Sequence, residues 1–305
     1  MTVLIVGLGS IAMKHIAVIR NLWPDGIIYA LRSPGKKEDI ERIINLTDLK
    51  EINTLNINFA IISNPTASHK QTILDLIQFG FPLFIEKPLF NSIDTNDVQI
   101  LREISQRNII TYVACNLRFL GCMNFLREFI KGKRINEVNS YCGSYLPEWR
   151  PGTDFRKNYS ADKEMGGGVH IDLIHEVDYT YWLFGHPSKV TATKTSKSTL
   201  EISSIDYANF LFEYPQFCVS IILNYYRRDA KRNLEVVLDE GTVVVDLLRN
   251  TVMYNGAIIY SSSNTIINTY EDQMKFFINE VVGEKKKFNS IDEAFEILKL
   301  CTMND

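Results

Sequence analysis

The residues best suited to chemistry in this chain stand in short runs at the ends of apolar segments. Gly7-Leu8-Gly9-Ser10-Ile11-Ala12 has the spacing G-x-G-x-x-A, directly after the β-branched run Thr2-Val3-Leu4-Ile5-Val6 and ahead of an amphipathic stretch. In that setting Gly7 allows a tight turn and Gly9 lets a phosphate approach the backbone. Ala12 keeps the following helix close to the strand, and the N–H groups of that helix's first turn face an anion. The other reading of the run is a merely tight strand-to-helix turn. Lys87 follows a short apolar run and precedes Pro88, which favours an extended backbone at the lysine. An ammonium at the carboxyl end of a parallel strand can donate to a substrate hydroxyl and stabilise alkoxide character, or it is a surface cation. His175 supplies an imidazole, which titrates near neutral pH and suits a general acid or base. The competing reading is a hydrogen-bonded core histidine. Asp172, close by in sequence, can bind a substrate hydroxyl or raise the basicity of His175, and can equally cap a helix or stand in solvent. Together these groups fit oxidation of a secondary alcohol, in which a hydride and a proton leave separately.

The elements that must carry these residues alternate in the first part of the chain. Strands are expected at 2–6, 27–31, 59–63, 83–85 and 111–114, and helices at 11–23, 66–79 and 94–107, with Gly80 as a stop. Such alternation predicts right-handed crossovers and a parallel sheet covered on both faces. After Asn116 the pattern changes. A helix at 123–131, a strand at 138–145, a long loop and a helix at about 169–184 precede a run of strands over 190–260. Asn255-Gly256 between apolar pairs is the strongest hairpin signal. Amphipathic helices at 271–282 and 290–300 close the chain. The expected architecture is α/β: an N-terminal Rossmann dinucleotide-binding domain (1–117) joined to an α+β substrate-binding domain (118–305) with a large, mostly antiparallel open-faced sheet. The two C-terminal helices are expected to pack back against the body.

Composition narrows the function. The chain has 305 residues, of which 46% are hydrophobic and 23% charged, the profile of a globular protein with a large core. The formal net charge of -3 gives no global reason to bind nucleic acid or an anionic membrane. The basic runs at 131–134 and 285–287 each follow an amphipathic stretch, where a helix C-terminus favours cations. No apolar segment is long enough to span a bilayer, and with a strand expected from Thr2 no signal peptide is expected ahead of it. The five cysteines are odd in number and lack metal-ligand spacing, so free thiols in a reducing cytoplasm are expected and no metal.

The end of the second expected strand bears on the choice of cofactor. An NAD-preferring site usually carries an acidic residue there, and this sequence has Arg32 and Ser33. A guanidinium and a hydroxyl suit a 2′-phosphate, so NADP is favoured over NAD, although Arg32 also reads as an ordinary surface cation.

Several separated motifs then converge. Asn64-Pro65-Thr66 with His69 follows one strand, and Glu86-Lys87-Pro88 follows the next. Asn116-Leu117-Arg118-Phe119 comes after the last strand of the first half. Gly166-Gly167-Gly168 precedes Asp172, His175, Glu176 and Asp178, ahead of Trp182-Leu183-Phe184-Gly185. In this order they resemble the glucose-fructose oxidoreductase/inositol dehydrogenase (Gfo/Idh/MocA) family over nearly the whole chain. The resemblance implies NAD(P)-linked redox of sugars, cyclitols and related alcohols, with Lys87, His175 and Asp172 as catalytic residues. The cofactor side is then expected to comprise Gly7, Gly9, Ser10, Ile11 and Ala12 of the glycine turn and Arg32 and Ser33 of the strand end, joined through the resemblance by Asn64, Pro65, His69, Lys87 and Asn116 and by Glu86, which orients Lys87 or touches the nicotinamide ribose, with Arg118 on the substrate side. The resemblance also implies a homo-oligomer, dimer or tetramer, through the C-terminal sheet. Family members often have three residues between the Asp and the His, and here Leu173 and Ile174 alone separate them. A shared helix face would still let Asp172 and His175 converge.

The loop over 148–164 is polar, aromatic and long, a combination often functional in compact domains. Trp149 can stack on a sugar face, and Arg150, Arg156 and Tyr159 can bind hydroxyls or an anionic group. A solvated loop tied down by Trp149 is the alternative. The aromatic strand Asn224-Tyr225-Tyr226-Arg227-Arg228 reads as sheet surface or subunit interface. Two other functions remain open beside a dehydrogenase or reductase: an NAD-dependent glycosidase that recycles its cofactor, and a non-catalytic sugar or nucleotide sensor.

Overall fold

In the computed structural model, which describes residues 1–32 and 40–303, six short strands build one parallel sheet. They are β1 (Thr2–Val6), β2 (Ile27–Leu31), β3 (Ile44–Leu46), β4 (Phe59–Ile62), β5 (Leu83–Ile85) and β6 (Thr111–Val113), in the order β3-β2-β1-β4-β5-β6. Val3, Leu4 and Ile5 of β1 and all of β4 and β5 are buried. Such continuous apolar runs are what a sheet covered on both faces requires. The helices between them are α1 (Ser10–Leu22), α2 (His69–Leu76) and α3 (Asp97–Gln106). β3 was not foreseen. It is a three-residue strand, too short to show a periodicity, and pairing to β2 defines it.

This unit comprises Met1–Cys115 together with Tyr270–Glu296 from far down the chain. The returning segment is held by its aromatic residues. Phe277, fully buried, meets Phe59 and Phe84 edge to face at 5.3 Å and lies 5.7 Å from Tyr112. The Tyr112 hydroxyl donates to Gln273 Oε1 at 3.1 Å. Burying one such phenylalanine contributes about 1.5–3 kcal/mol.

The order of the sheet reverses between β1 and β4. In a doubly wound sheet, that switch point opens a crevice at the carboxyl ends of the strands. Gly7 follows β1 and Asn64 follows β4, so both stand at it.

The second unit, Asn116–Thr269 with Ile297–Asp305, carries an eight-stranded sheet. Its strands are β7 (Ile135–Gly143), β8 (Lys189–Thr195), β9 (Tyr207–Glu213), β10 (Cys218–Asn224), β11 (Lys231–Leu238), β12 (Gly241–Asp246), β13 (Thr251–Tyr254) and β14 (Ala257–Ser261). The order is β14-β13-β12-β11-β7-β10-β9-β8, antiparallel except where β7 and β10 run side by side in parallel. Burial alternates along β10 and β11, with Val219, Ile221, Leu223, Leu234, Val236 and Leu238 inward. One face is therefore packed and the other open. The inward face is covered by α4 (Gly121–Phe129), α5 (Val169–Asp172) and α6 (His175–Phe184). Asn255 and Gly256 make the two-residue turn between β13 and β14. Among the described residues no helix is long and apolar enough to cross a membrane.

The single helix expected over 169–184 is two. Leu173, at φ -97° and ψ 36°, leaves the helical region, so α5 stops at Asp172 and α6 starts at His175. α5 packs on β9 and β10 while α6 packs on β7, and the chain turns to serve both places on the sheet. Asp172 and His175 accordingly do not share one helix face, which corrects the spacing argument made from sequence.

Candidate active site

In the first unit the turn after β1 is shaped by close backbone approach. Gly7 has φ +88°, and a Cβ there would lie 2.5 Å from the Asn64 backbone. Only glycine accommodates both conditions. Gly9 and Ser10 are exposed, Ile11 is half-buried and Ala12 is buried. A Cβ on Gly9 would point into open space. The N-cap of α1 is Gly9, with no side-chain cap and no acidic residue in the first turn. This open cradle at an uncapped helix N-terminus fits the pyrophosphate of a dinucleotide. Gly7, Gly9, Ser10 and the first-turn N–H groups would hold it.

Around that turn the neighbouring loops are locked to one another. Asn64 Nδ2 donates to Thr72 Oγ1 at 2.7 Å, and Pro65 is exposed beside it. The buried His69 ring has Nδ1 at 3.1 Å from the Leu89 carbonyl and Nε2 at 3.1 Å from the Asn64 carbonyl. It thus ties the loop after β4 to the loop after β5. Burial holds the His69 pKa below its ordinary value, outweighing the two carbonyls that favour the charged form. Arg32, half-buried, follows β2 with its N–H on the Leu46 carbonyl at 2.9 Å. Ser33 lies outside the described residues.

At the end of β5, Glu86 is buried and Lys87 half-buried, and the Lys87–Pro88 peptide is cis. Glu86 Oε1 meets His15 Nε2 at 2.6 Å, and Glu86 Oε2 accepts the Lys87 backbone N–H at 3.2 Å. In the sequence His15 reads as one more residue of the first helix. The spacing of Ala12, His15, Ile16 and Ile19 already places it on the buried stripe of α1.

In the second unit, Asp172 and His175 are both buried. Tyr159 donates its hydroxyl to Asp172 Oδ1 at 2.5 Å, and Tyr225 donates to Asp172 Oδ2 at 2.5 Å. Burial, together with the Asp172 charge, raises both phenols above their ordinary pKa and keeps them protonated donors. The Tyr159 loop is seated on Gly167: a side chain there would run into the Tyr159 carbonyl, and the Gly167 N–H donates to the Asp162 carbonyl at 2.9 Å. Tyr225 braces Trp149 edge to face at 5.3 Å, and the Trp149 indole N–H donates to Ser144 Oγ at 2.9 Å. Trp149 and Tyr159 are partly exposed, at 38% and 39%, whereas Tyr225 is fully buried. The sheet-surface reading of Tyr225 is therefore corrected. The inward alternation of Val219, Ile221 and Leu223 continues to position 225 and could have signalled it.

His175 opens α6, and that helix is anchored by buried polar pairs to the sheet beneath and to the 3-10 turn Asn116–Phe119. Glu176 takes Arg232 with both oxygens, at 2.6 and 3.0 Å. The Tyr179 and Ser140 hydroxyls meet at 2.6 Å. Asp178 takes Arg118 with both oxygens, at 3.0 and 2.7 Å. Arg118 was expected on the substrate; at 2% exposure, with its guanidinium on Asp178, it instead braces the fold. Asn116 is buried, with Nδ2 on Thr269 Oγ1 at 2.8 Å. The expected long loop is a series of 3-10 turns, Leu146–Glu148, Phe155–Lys157 and Tyr159–Ala161. Arg150 is exposed, and exposed Arg156 lies over the Phe155 ring at 4.6 Å with Nη2 on the Leu200 carbonyl at 3.5 Å. Among the described residues, no group of three or more His, Cys, Asp or Glu is placed to hold a metal ion.

Comparison with known proteins gives matches along most of the chain. The model of an oxidoreductase family with an NAD-binding Rossmann fold matches residues 1–112, and that of the GFO/IDH/MocA C-terminal domain matches residues 123–244. The chain is 24% identical over 189 residues to the scyllo-inositol 2-dehydrogenase (NADP(+)) IolW of Bacillus subtilis (strain 168), covering 61% of this chain and 51% of that one. It thus spans about half the length of that relative. It is 22% identical over 264 residues to the scyllo-inositol 2-dehydrogenase (NAD(+)) of the same organism, covering 81% and 74% of the two chains. Among solved structures, a levoglucosan dehydrogenase in complex with NADH superimposes with a TM-score of 0.82 at 16% identity, covering 99% of this chain and 95% of that one. A myo-inositol 2-dehydrogenase from Lactobacillus plantarum gives 0.79 at 20% identity, covering 98% and 94%. With both family models matched in order and the parallel and open-faced sheets both present, the chain belongs to the GFO/IDH/MocA family of oxidoreductases with an NAD-binding Rossmann fold.

Proposed function

We propose that this protein is an NAD(P)-dependent dehydrogenase or reductase acting on a hydroxyl or keto carbon of a sugar, sugar derivative or cyclitol. The observation that carries the reading is the uncapped N-terminus of α1, open at Gly9 and set at the switch point of a parallel sheet. The substrate class follows the inositol dehydrogenases among the relatives.

When bound, the nicotinamide gives or takes the hydride. The chain's own residues manage the proton and the alignment. Lys87 donates to the reacting oxygen and stabilises its alkoxide character. His175 accepts or returns the proton, and Asp172, held by two tyrosine hydroxyls, orients a substrate hydroxyl. Trp149 offers a braced, partly exposed ring to a sugar face, with Arg150 and Arg156 nearby in sequence for hydroxyls or an anionic group. Glu86, His69, Asn64, Pro65 and Asn116 line or support the cofactor side. Arg32, with Ser33, favours NADP. The open face of the eight-stranded sheet joins copies of the chain into a dimer or tetramer, and the protein works in the cytoplasm.

The test is a binding titration with NADP and NAD, followed by sugars, uronic acids, cyclitols and nucleotide sugars watched at the reduced-nicotinamide absorbance. Tight binding of either cofactor with substrate-dependent reduction supports the reading. A chain that binds neither overturns it. Tight binding with product formed and no net change in the cofactor would point to the glycosidase instead.

A further inference from the structure

The Glu86 carboxylate sits where several elements of the first unit meet. His15 reaches it from α1, His69 stands near it on α2, and Tyr270 faces it from the helix Thr269–Phe276, with Lys14 over the Tyr270 ring at 4.9 Å. Its own chain neighbour, Lys87, donates the backbone N–H. The charge of Glu86 is felt by Tyr270, whose phenol is pushed up to about 12 by burial and by that carboxylate.

His15 is fully buried, its ring packed edge to face on Phe84 at 5.0 Å and on Tyr270 at 5.8 Å. Its Nδ1 is buried with no hydrogen-bond partner, whereas Nε2 lies 2.6 Å from Glu86 Oε1. A buried N–H without an acceptor costs more than a bare lone pair, so the proton of the neutral ring belongs on Nε2. His15 then donates and Glu86 accepts as a carboxylate. One oxygen is fixed by α1, the helix that begins at the Gly9 turn, and the other by the Lys87 backbone.

We infer that His15 is a positioning residue: it holds the Glu86 side chain seated against the Lys87 N–H, and so sets the placement of Lys87 from the helix that bears the cofactor turn. This rests on the proposed role of Lys87 at the reacting oxygen. The consequence is specific. Without the His15 donor, the buried carboxylate loses that hydrogen bond, and burial then favours its neutral form.

The experiment compares H15A, H15Q, E86Q and the double variant H15A/E86Q with the parent. Difference infrared spectra across the neutral range report a protonated buried carboxyl without cofactor or turnover. H15A is expected to show that band at near-neutral pH, and the double variant to lose it. H15Q, which restores a donor, should return the carboxylate. In turnover, H15A should lower kcat by about tenfold with a smaller change in KM, and add a limb to the rate profile that E86Q removes. Should H15A not fold, H15M, which fills the same space without a donor, is read in its place, with the same two outcomes. The inference is overturned if H15A keeps Glu86 ionised, or if its new pH limb survives E86Q. An infrared result as expected, with Lys87→Ala retaining a normal rate, would uphold the His15–Glu86 relation and sink the role of Lys87.

Discussion

The Tyr225 hydroxyl donates to Asp172 Oδ2 at 2.5 Å, joining two residues 53 positions apart. With Tyr159 on the other oxygen, the carboxylate is held as an oriented acceptor at 4% exposure. Tyr225→Phe should lower stability by about 1.5–3 kcal/mol, the range for a hydrogen bond to a charged buried group, and raise KM more than it lowers kcat. Chemical denaturation and steady-state kinetics measure both. Unchanged stability and kinetics would mean that Tyr225 does no more than fill space.

His175 opens a helix bolted to the sheet through Glu176 and to the turn Asn116–Phe119 through Asp178. His175→Asn should preserve the fold and remove the neutral-pH limb of kcat/KM, because asparagine has no titratable nitrogen. An unaltered profile would assign the proton to another group.

Arg32 follows β2, with its N–H on the Leu46 carbonyl. Arg32→Ala should weaken NADP binding at least several-fold more than NAD, as expected of a guanidinium that pairs with a 2′-phosphate. Calorimetric titration of both cofactors gives the ratio, and equal losses would remove the phosphate-clamp role.

Arg118 and Asp178 form a bidentate pair with each side chain 1% exposed. Asp178→Ala leaves the guanidinium buried without its carboxylate and should cost about 3–5 kcal/mol. An Arg118→Met/Asp178→Leu double variant should recover much of that loss. A single variant as stable as the parent would show that Arg118 finds another partner.

His69 gives the chain a defined acid sensitivity. Burial lowers its folded pKa below the unfolded value of about 6.5, so below that pH the unfolded chain binds more protons. The contribution is intact above the unfolded pKa and is lost as pH falls toward the folded one. Thermal unfolding from pH 7 downward should show a slope that His69→Asn reduces. Identical slopes would place the sensitivity elsewhere.

Local pattern alone determined the alternation of strands and helices in the first half, the G-x-G-x-x-A turn, the Gly80 stop and the Asn255-Gly256 hairpin. Each is a short-range event: a steric requirement at one or two residues, or a periodicity within one element. Tertiary structure decided what depends on distant partners. Pairing with β2 makes β3 a strand, and seating on two parts of a sheet splits the 169–184 helix between Asp172 and His175. The fates of Arg118, Tyr225 and His15 were set by Asp178, Asp172 and Glu86, which lie 60, 53 and 71 residues away. A sequence shows which side chains can form hydrogen bonds and ion pairs. Which of them meet in a buried place, where an unmade bond is costly, is settled by the packing of the whole chain.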